Sequence, residues 1–170
     1  MLTLALLAAC GSPSSPGECT SPRLRDDLPD LRTVELGVLS SVRFGEDGGT
    51  LMDRFDPYGV GEEHPLIPGF QGGYMLLPVV RVSAGASAEP TACLHIALRN
   101  TMDVPVEQVP DQARTLDRVG DHFYSPQLFN LLAFDPGTVV DRDLTMQATV
   151  TGPDFRSSSP PVTVTLRAPP

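Results

Sequence analysis

The chain has 170 residues, of which 41% are hydrophobic and 19% are charged, and it contains 15 glycines and 18 prolines. This composition favours one folded domain of strands and turns over a bundle of long helices. The formal net charge is −9, so the surface repels nucleic-acid phosphates and we expect no nucleic-acid partner. Because the sequence has no lysine, Schiff-base and P-loop lysine chemistry are excluded.

The N-terminus resembles the signal of an exported bacterial lipoprotein. Residues 2–9 are apolar except for Thr3, and this run is far too short to cross a bilayer, which takes about 20 residues. The sequence from Leu7 to Cys10 reads Leu-Ala-Ala-Cys and resembles the bacterial lipobox, in which small residues precede the cysteine that receives the lipid. We expect residues 1–9 to be a signal peptide and Cys10 to carry the lipid.

A flexible tether is expected to join the lipid to the domain. Residues 10–30 begin with a Gly/Ser/Pro-rich stretch that ends at Gly17, a composition typical of linkers. One acyl chain anchors a protein only marginally, and the resemblance to lipoproteins implies three on Cys10. Gly11 stands where an aspartate would favour the inner membrane. We therefore expect a lipid-anchored protein of the cell envelope, at the outer membrane.

The remaining cysteines form an even pair. Cys19 lies in the tether and Cys93 in the domain, and both would be exported to an oxidising compartment. We expect a disulfide between them that fastens the tether to the domain. Two free thiols are the alternative, and a cysteine pair by itself is a poor metal site because structural zinc takes four ligands.

Hydrophobic and polar residues alternate in several segments. This period of two predicts strands at residues 34–44, 74–83, 93–99, 144–151 and 162–167. Pro78 within the second segment indicates an edge strand or a bulge. Residues 50–70, rich in aspartate, glycine and proline, are expected to form a long irregular connection, and residues 112–119 one or two turns of helix.

These short strands predict a mainly β fold, an antiparallel β-sandwich of Ig-like architecture over residues 31–170. The last two strands, separated by residues 152–161, are expected to pair as a hairpin. Because the chain has no tryptophan, the Cys…Trp…Cys spacing of antibody domains is absent, so Ig-like describes the architecture alone. A small β-barrel is the alternative fold.

Part of the chain resembles a known group of proteins. The pattern consists of Phe44, Asp47-Gly48, Leu51, the segment from Gly69 to Met75 and Val79–Val82. It is similar to uncharacterised lipoproteins of GC-rich, myxobacteria-like genomes, and the resemblance covers about residues 34–100. It implies a single β-sandwich domain behind a lipobox. It implies no activity.

Three histidines are candidate zinc or copper ligands, and two of them lie beside carboxylates. They are His64 with Glu62 and Glu63, His122 with Asp121 and Asp117, and His95 two residues from Cys93. Candidate calcium ligands surround a predicted turn, namely Asp135, Asp141 and Asp143. The sequence contains neither a His-Glu-x-x-His motif nor an EF-hand loop, so ordinary solvated surface positions are the competing interpretation.

Catalytic motifs are missing. Gly69, Gly72 and Gly73 have the backbone freedom to hold an anion, but a strand is predicted after them, where a phosphate loop leads into a helix. A bulge or tight turn is the simpler interpretation. The sequence has no Gly-x-Ser-x-Gly elbow. We therefore expect no catalytic residues, and no cofactor beyond the zinc or calcium considered above.

Two functional hypotheses follow from these residues. The first is a non-enzymatic envelope lipoprotein that binds a protein partner or a polysaccharide, with a sheet edge near Pro78 or the 50–70 connection as its contact surface. The alternative is a metal-binding module or metal-dependent enzyme that uses His64, His122 and the neighbouring carboxylates.

Overall fold

A computed structural model of the chain describes residues 19, 32–44, 50–68, 74–84, 91–106, 111–126, 130–131, 139–152 and 155–168. The predicted signal peptide, the lipidation site Cys10 and all of the tether except Cys19 lie outside these residues, as do Asp135 and the glycines at 69, 72 and 73. Within the described ranges there is no helix long and apolar enough to span a membrane.

The strands are named in chain order. The first are β1 (Val34–Phe44), β2 (Thr50–Pro57), β3 (Glu62–Pro65), β4 (Ile67–Pro68), β5 (Tyr74–Leu76), β6 (Val79–Ser83) and β7 (Thr91–Arg99). They are followed by β8 (Gln112–Thr115), β9 (Asp117–Val119), β10 (His122–Tyr124), β11 (Asn130–Leu131), β12 (Asp143–Thr151), β13 (Arg156–Ser158) and β14 (Val162–Arg167). No helix occurs among the described residues, and the predicted mainly β class is confirmed.

The strands form two main sheets and one small sheet. The five-stranded sheet has the order β2-β1-β6-β10-β9, and the six-stranded sheet has the order β3-β14-β12-β7-β8 with β13 also paired to β12. The small sheet has the order β11-β5-β4. Neighbouring strands are antiparallel except for β3 and β14, which run parallel. The predicted terminal hairpin is confirmed, because β12 pairs with β14 from Asp143 opposite Thr165 to Met146 opposite Val162.

The hydrophobic core lies between the two main sheets. On β7 and β12 every second residue is buried, namely Ala92, Leu94, Ile96, Leu98, Leu144, Met146, Ala148 and Val150. These side chains share one cluster with buried residues of the five-stranded sheet, such as Val34, Leu36, Val80 and Val82. Alternation places the remaining residues of each strand on the outer faces. The packing of two antiparallel sheets around one core is the predicted β-sandwich.

Both edges of the sandwich are crossed by chain segments that change sheets. Between β2 and β3, the N–H of Tyr58 donates to Leu36 of β1, and the N–H of Gly61 donates to Thr163 of β14. Gly61 has a φ of +73°, which favours glycine. At the opposite edge, β8 of the six-stranded sheet continues through buried Leu116 into β9 of the five-stranded sheet. Three of the four edge strands of the main sheets, β3, β8 and β9, are only three or four residues long, which limits edge-to-edge pairing between molecules.

Two buried serines continue the hydrogen bonding between neighbouring strands just beyond the end of a strand. Val80 donates its N–H to the hydroxyl of Ser125 at 2.9 Å, and Ser125 donates its own N–H to the carbonyl of Val80. Ser159 makes the same pair of bonds with Ala148. Each hydroxyl also donates to the carbonyl of the proline that follows it. The serines therefore satisfy buried backbone groups that would otherwise lack partners.

Several sequence-based predictions of local structure are wrong. Residues 50–70 contain β2, β3 and β4, and the expected helical turns at 112–119 are β8 and β9. In β3, β8 and β9 few side chains are buried on either face, so these strands lack the alternation by which a strand is recognised. Pro78 is buried between β5 and β6, and β6 lies inside the five-stranded sheet. Pro78 therefore interrupts a strand and marks no exposed edge.

The predicted disulfide between Cys19 and Cys93 is confirmed, and the Cα atoms of the two cysteines are 5.8 Å apart. Cys93 stands on β7 between the buried residues Ala92 and Leu94. Its side chain therefore points away from the core. The bridge fastens Cys19, and with it the N-terminal arm, to the outer face of the six-stranded sheet.

Candidate binding face

The predicted metal ligand His64 is half-buried on the edge strand β3. Its ring packs edge-on against Tyr58, with the ring centroids 4.4 Å apart. Its Nε2 atom is 3.5 Å from a carboxylate oxygen of Glu62, and this contact lacks hydrogen-bond geometry, so the buried Nε2 has no hydrogen-bond partner. Burial lowers the pKa of His64, although the Glu62 carboxylate partly offsets that effect. Burial and the charge of Glu62 raise the pKa of Tyr58.

Glu63, Asp141 and Asp143 lie near one another at one end of the six-stranded sheet. Glu63 and Asp141 both accept hydrogen bonds from the guanidinium of Arg167, the latter at 2.6 Å. This pairing with Arg167 lowers the pKa of Glu63. Asp143 accepts a hydrogen bond from the hydroxyl of Thr165 at 2.7 Å. The carboxylates are therefore engaged by an arginine and a threonine of β14.

The structure places His122 and Asp121 in the other main sheet. His122 is on β10, whereas His64 is on β3. His95 lies on the outer face of β7, with Nδ1 2.8 Å from a carboxylate oxygen of Asp111. Among the residues that the structure describes, no group of three or more His, Cys, Asp and Glu side chains is arranged to hold a metal ion.

A polar cleft of about 520 Å³ lies at the same end of the six-stranded sheet as Asp141 and Asp143. It is lined by Asn100, Thr101, Met102, Asp141, Arg142 and Asp143. Asp141 in this lining has a positive φ angle of 54°, and Asp103, which follows Met102, has one of 61°. The side-chain oxygen of Asn100 accepts hydrogen bonds from the N–H groups of Met102 and Val104. That turn leaves Met102 76% exposed above the cleft.

A second feature, which the sequence analysis missed, lies on the outer side of the five-stranded sheet. We call it the aromatic face and define it as Glu35, Phe55, Arg81, His122 and Tyr124. Arg81 lies directly opposite Glu35 on β1 and Tyr124 on β10. Each of these three is flanked along its strand by buried residues, so their side chains point outward.

Arg81 holds the aromatic face together. Its Nε and Nη2 atoms lie 2.7 and 2.6 Å from one carboxylate oxygen of Glu35. Its guanidinium carbon lies 4.4 Å from the ring centroid of Phe55, within the range of a cation–π contact. Partial burial by itself lowers the pKa of Arg81, and hydrogen bonds to Glu35 and Tyr124 outweigh that effect, so its pKa is raised.

The rings of the aromatic face contact each other. Phe55 and Tyr124 pack edge-to-face with centroids 5.9 Å apart, and His122 follows Tyr124 at 6.3 Å. Gly37 makes room for Phe55, because a Cβ atom at position 37 would stand 2.7 Å from its ring and 2.3 Å from the carbonyl oxygen of Asp56. The four strands β2, β1, β6 and β10 thus present half-buried aromatic rings around one compensated ion pair.

The aromatic face had no signal in the sequence. Its residues are spread over four strands that are up to 89 positions apart, from Glu35 to Tyr124. Phe55 also falls in the segment predicted to be irregular.

These observations define a class of protein. The chain is a mainly antiparallel β-sandwich with Cys19 joined by a disulfide to one outer face and an aromatic cluster on the other. No protein-family model matches the chain, and comparison with the curated proteins and with the solved structures found no match. Its function is therefore argued from its own residues.

Proposed function

We propose that the protein is an exported, lipid-anchored lipoprotein of the bacterial cell envelope and that its domain is a non-enzymatic binding module. The observation that carries the proposal is the Cys19–Cys93 disulfide. Disulfides persist in oxidising compartments such as the periplasm and the cell surface. The lipobox resemblance at Leu7–Cys10 supplies the anchor, and Gly11 favours the outer membrane.

The position of the disulfide determines how far the domain reaches from the lipid. Nine residue steps separate Cys10 from Cys19, and even a fully extended chain of that length spans only about 30 Å. Without the bridge the tether would run on to the start of the domain near Arg32, a reach of about 75 Å. The disulfide therefore keeps the outer face of the six-stranded sheet close to the membrane.

The opposite side of the sandwich is then turned away from the membrane. The aromatic face lies on the outer side of the five-stranded sheet, across the core from Cys93. A binding surface in that position stays open to partners in the periplasm or outside the cell. This arrangement supports a binding role, because the anchor and the aromatic face do not compete for the same surface.

The proposal is tested by the intact mass of the full chain expressed in a bacterial host, before and after reduction and alkylation. The expected mass is that of residues 10–170 plus three acyl groups, with two thiols that become reactive only after reduction. The Cys10→Ser variant is the matched control and should carry no lipid while keeping the disulfide. An unlipidated wild-type mass, or three reactive thiols without reduction, would contradict the proposal.

A further inference from the structure

We propose that the aromatic face binds a neutral polysaccharide. This inference rests on the proposal that the protein is a binding module, and it adds the location of the site and the chemical class of the ligand.

Two aromatic rings lie on the outer side of the five-stranded sheet. Phe55 and Tyr124 are half-buried on the outer face of the five-stranded sheet, whereas the apolar side chains on its other face pack into the core. Aromatic rings provide rigid contact area at low entropic cost. The apolar C–H side of a sugar ring suits such a surface, because stacking leaves the sugar hydroxyls at the edge available for hydrogen bonds.

The charge of the face indicates a neutral ligand. The chain has a net charge of −9, which disfavours anionic polymers in general. Arg81 is the cation at the centre of the face, and its charge is compensated by Glu35 at 2.6 Å. The ion pair at the centre of the aromatic face is therefore compensated, and neither an anionic nor a cationic ligand would find an unpaired countercharge in that pair.

The ion pair still offers hydrogen bonds to hydroxyl groups. A guanidinium has five N–H donors and a carboxylate has two acceptor oxygens. Both short contacts from Arg81 go to the same oxygen of Glu35, so the carboxylate keeps acceptor capacity. Donors and acceptors fixed side by side next to aromatic rings match the alternating hydroxyls of a sugar.

The number of rings in the face indicates a polymer. The face crosses the four adjacent strands β2, β1, β6 and β10, and the side chains of Phe55 and Tyr124 lean toward each other, with their ring centroids 5.9 Å apart. The ring of His122 follows 6.3 Å from that of Tyr124. Three separate rings offer more than one stacking position, so a chain of sugars would contact more than one of them.

The test uses the full-length lipoprotein in detergent micelles. Its retention is measured by affinity electrophoresis in gels that contain a neutral glucan, a neutral mannan or an anionic polyuronate. We expect the wild type to be slowed by a neutral polysaccharide and not by the polyuronate. Phe55→Ala and Tyr124→Ala should each weaken binding by about two- to tenfold, the range expected for the loss of one aromatic contact.

Three controls separate binding from folding and from a different site. Tyr124→Phe keeps the ring and should retain most of the affinity. Met102→Ala removes the exposed side chain above the polar cleft and should leave binding unchanged. Thermal melting of each variant shows whether it is folded, and a folded variant at position 55 or 124 is sufficient for the test.

The remaining outcomes would overturn the inference. These are no retention by any neutral polysaccharide, retention by the polyuronate alone, or a loss of binding with Met102→Ala and not with the aromatic variants. Such a result would leave the proposed function standing if the mass of the protein still shows the lipid on Cys10. An unlipidated protein that binds a neutral polysaccharide would contradict the anchor and support the binding face.

Discussion

Replacing both Cys19 and Cys93 with serine should destabilise the domain by about 4 kcal/mol. The two cysteines are 74 positions apart. In the chain-entropy account, closing a loop of that length removes about 15 cal/mol/K from the unfolded chain, which is about 4.5 kcal/mol at 25 °C and an upper figure. Small domains are stable by only about 5–15 kcal/mol, so this one bond would supply a large share of the total.

The assay is equilibrium unfolding in urea followed by far-UV circular dichroism, because the chain has no tryptophan to report by fluorescence. The double variant should have a lower midpoint and a steeper dependence on urea, since an unfolded chain without the bridge exposes more surface. The wild type in reductant should behave like the variant, and Cys10→Ser should behave like the oxidised wild type. A loss of less than about 1 kcal/mol in both the variant and the reduced protein would refute the reasoning.

Three further predictions concern single residues. Ser125→Ala should lower the free energy of unfolding by about 1–3 kcal/mol, because the buried N–H of Val80 would lose its acceptor. Ser158→Ala, on the exposed end of β13, is the matched control. Equal losses of stability for the two variants in urea unfolding would contradict this role of Ser125. Gly37→Ala should lower the free energy of unfolding by about 1–3 kcal/mol and weaken polysaccharide binding, since the added Cβ would displace Phe55. An unchanged melting temperature would contradict this prediction and show that β2 adjusts freely. Burial lowers the pKa of His64 below its usual 6.5. As the pH falls through 6.5, the unfolded chain therefore binds more protons than the folded protein, and stability decreases. His64→Gln should reduce the difference in melting temperature between pH 7.5 and pH 5.5, and a difference equal to that of the wild type would exclude this contribution.

The candidate site illustrates how far residue patterns reach. The histidine–carboxylate pairs at His64 and His122 were recognisable because the members of each pair are neighbours in the chain. The structure places His64 in one main sheet and His122 in the other. The aromatic face combines Glu35, Arg81 and Tyr124 through strand register. Register depends on which strands become neighbours, and no local pattern encodes that choice.

The sequence by itself determined the fold class, the strands with one buried face and the disulfide. Strands such as β7 and β12 alternate because one face packs on the core, and that periodicity is visible in one dimension. The pairing of Cys19 with Cys93 followed from counting, since the lipobox resemblance assigned Cys10 to the lipid.

Only the tertiary structure decided which surfaces exist. The short strands β3, β8 and β9 form because neighbours supply their hydrogen bonds, and their exposed side chains carry no periodic signal. The segments that cross between sheets at Tyr58–Gly61 and at Leu116 close the sandwich and set its two outer faces. The disulfide lies on one outer face and the aromatic cluster on the other. This separation depends on the position of each strand in its sheet, and long-range packing of the whole chain sets those positions.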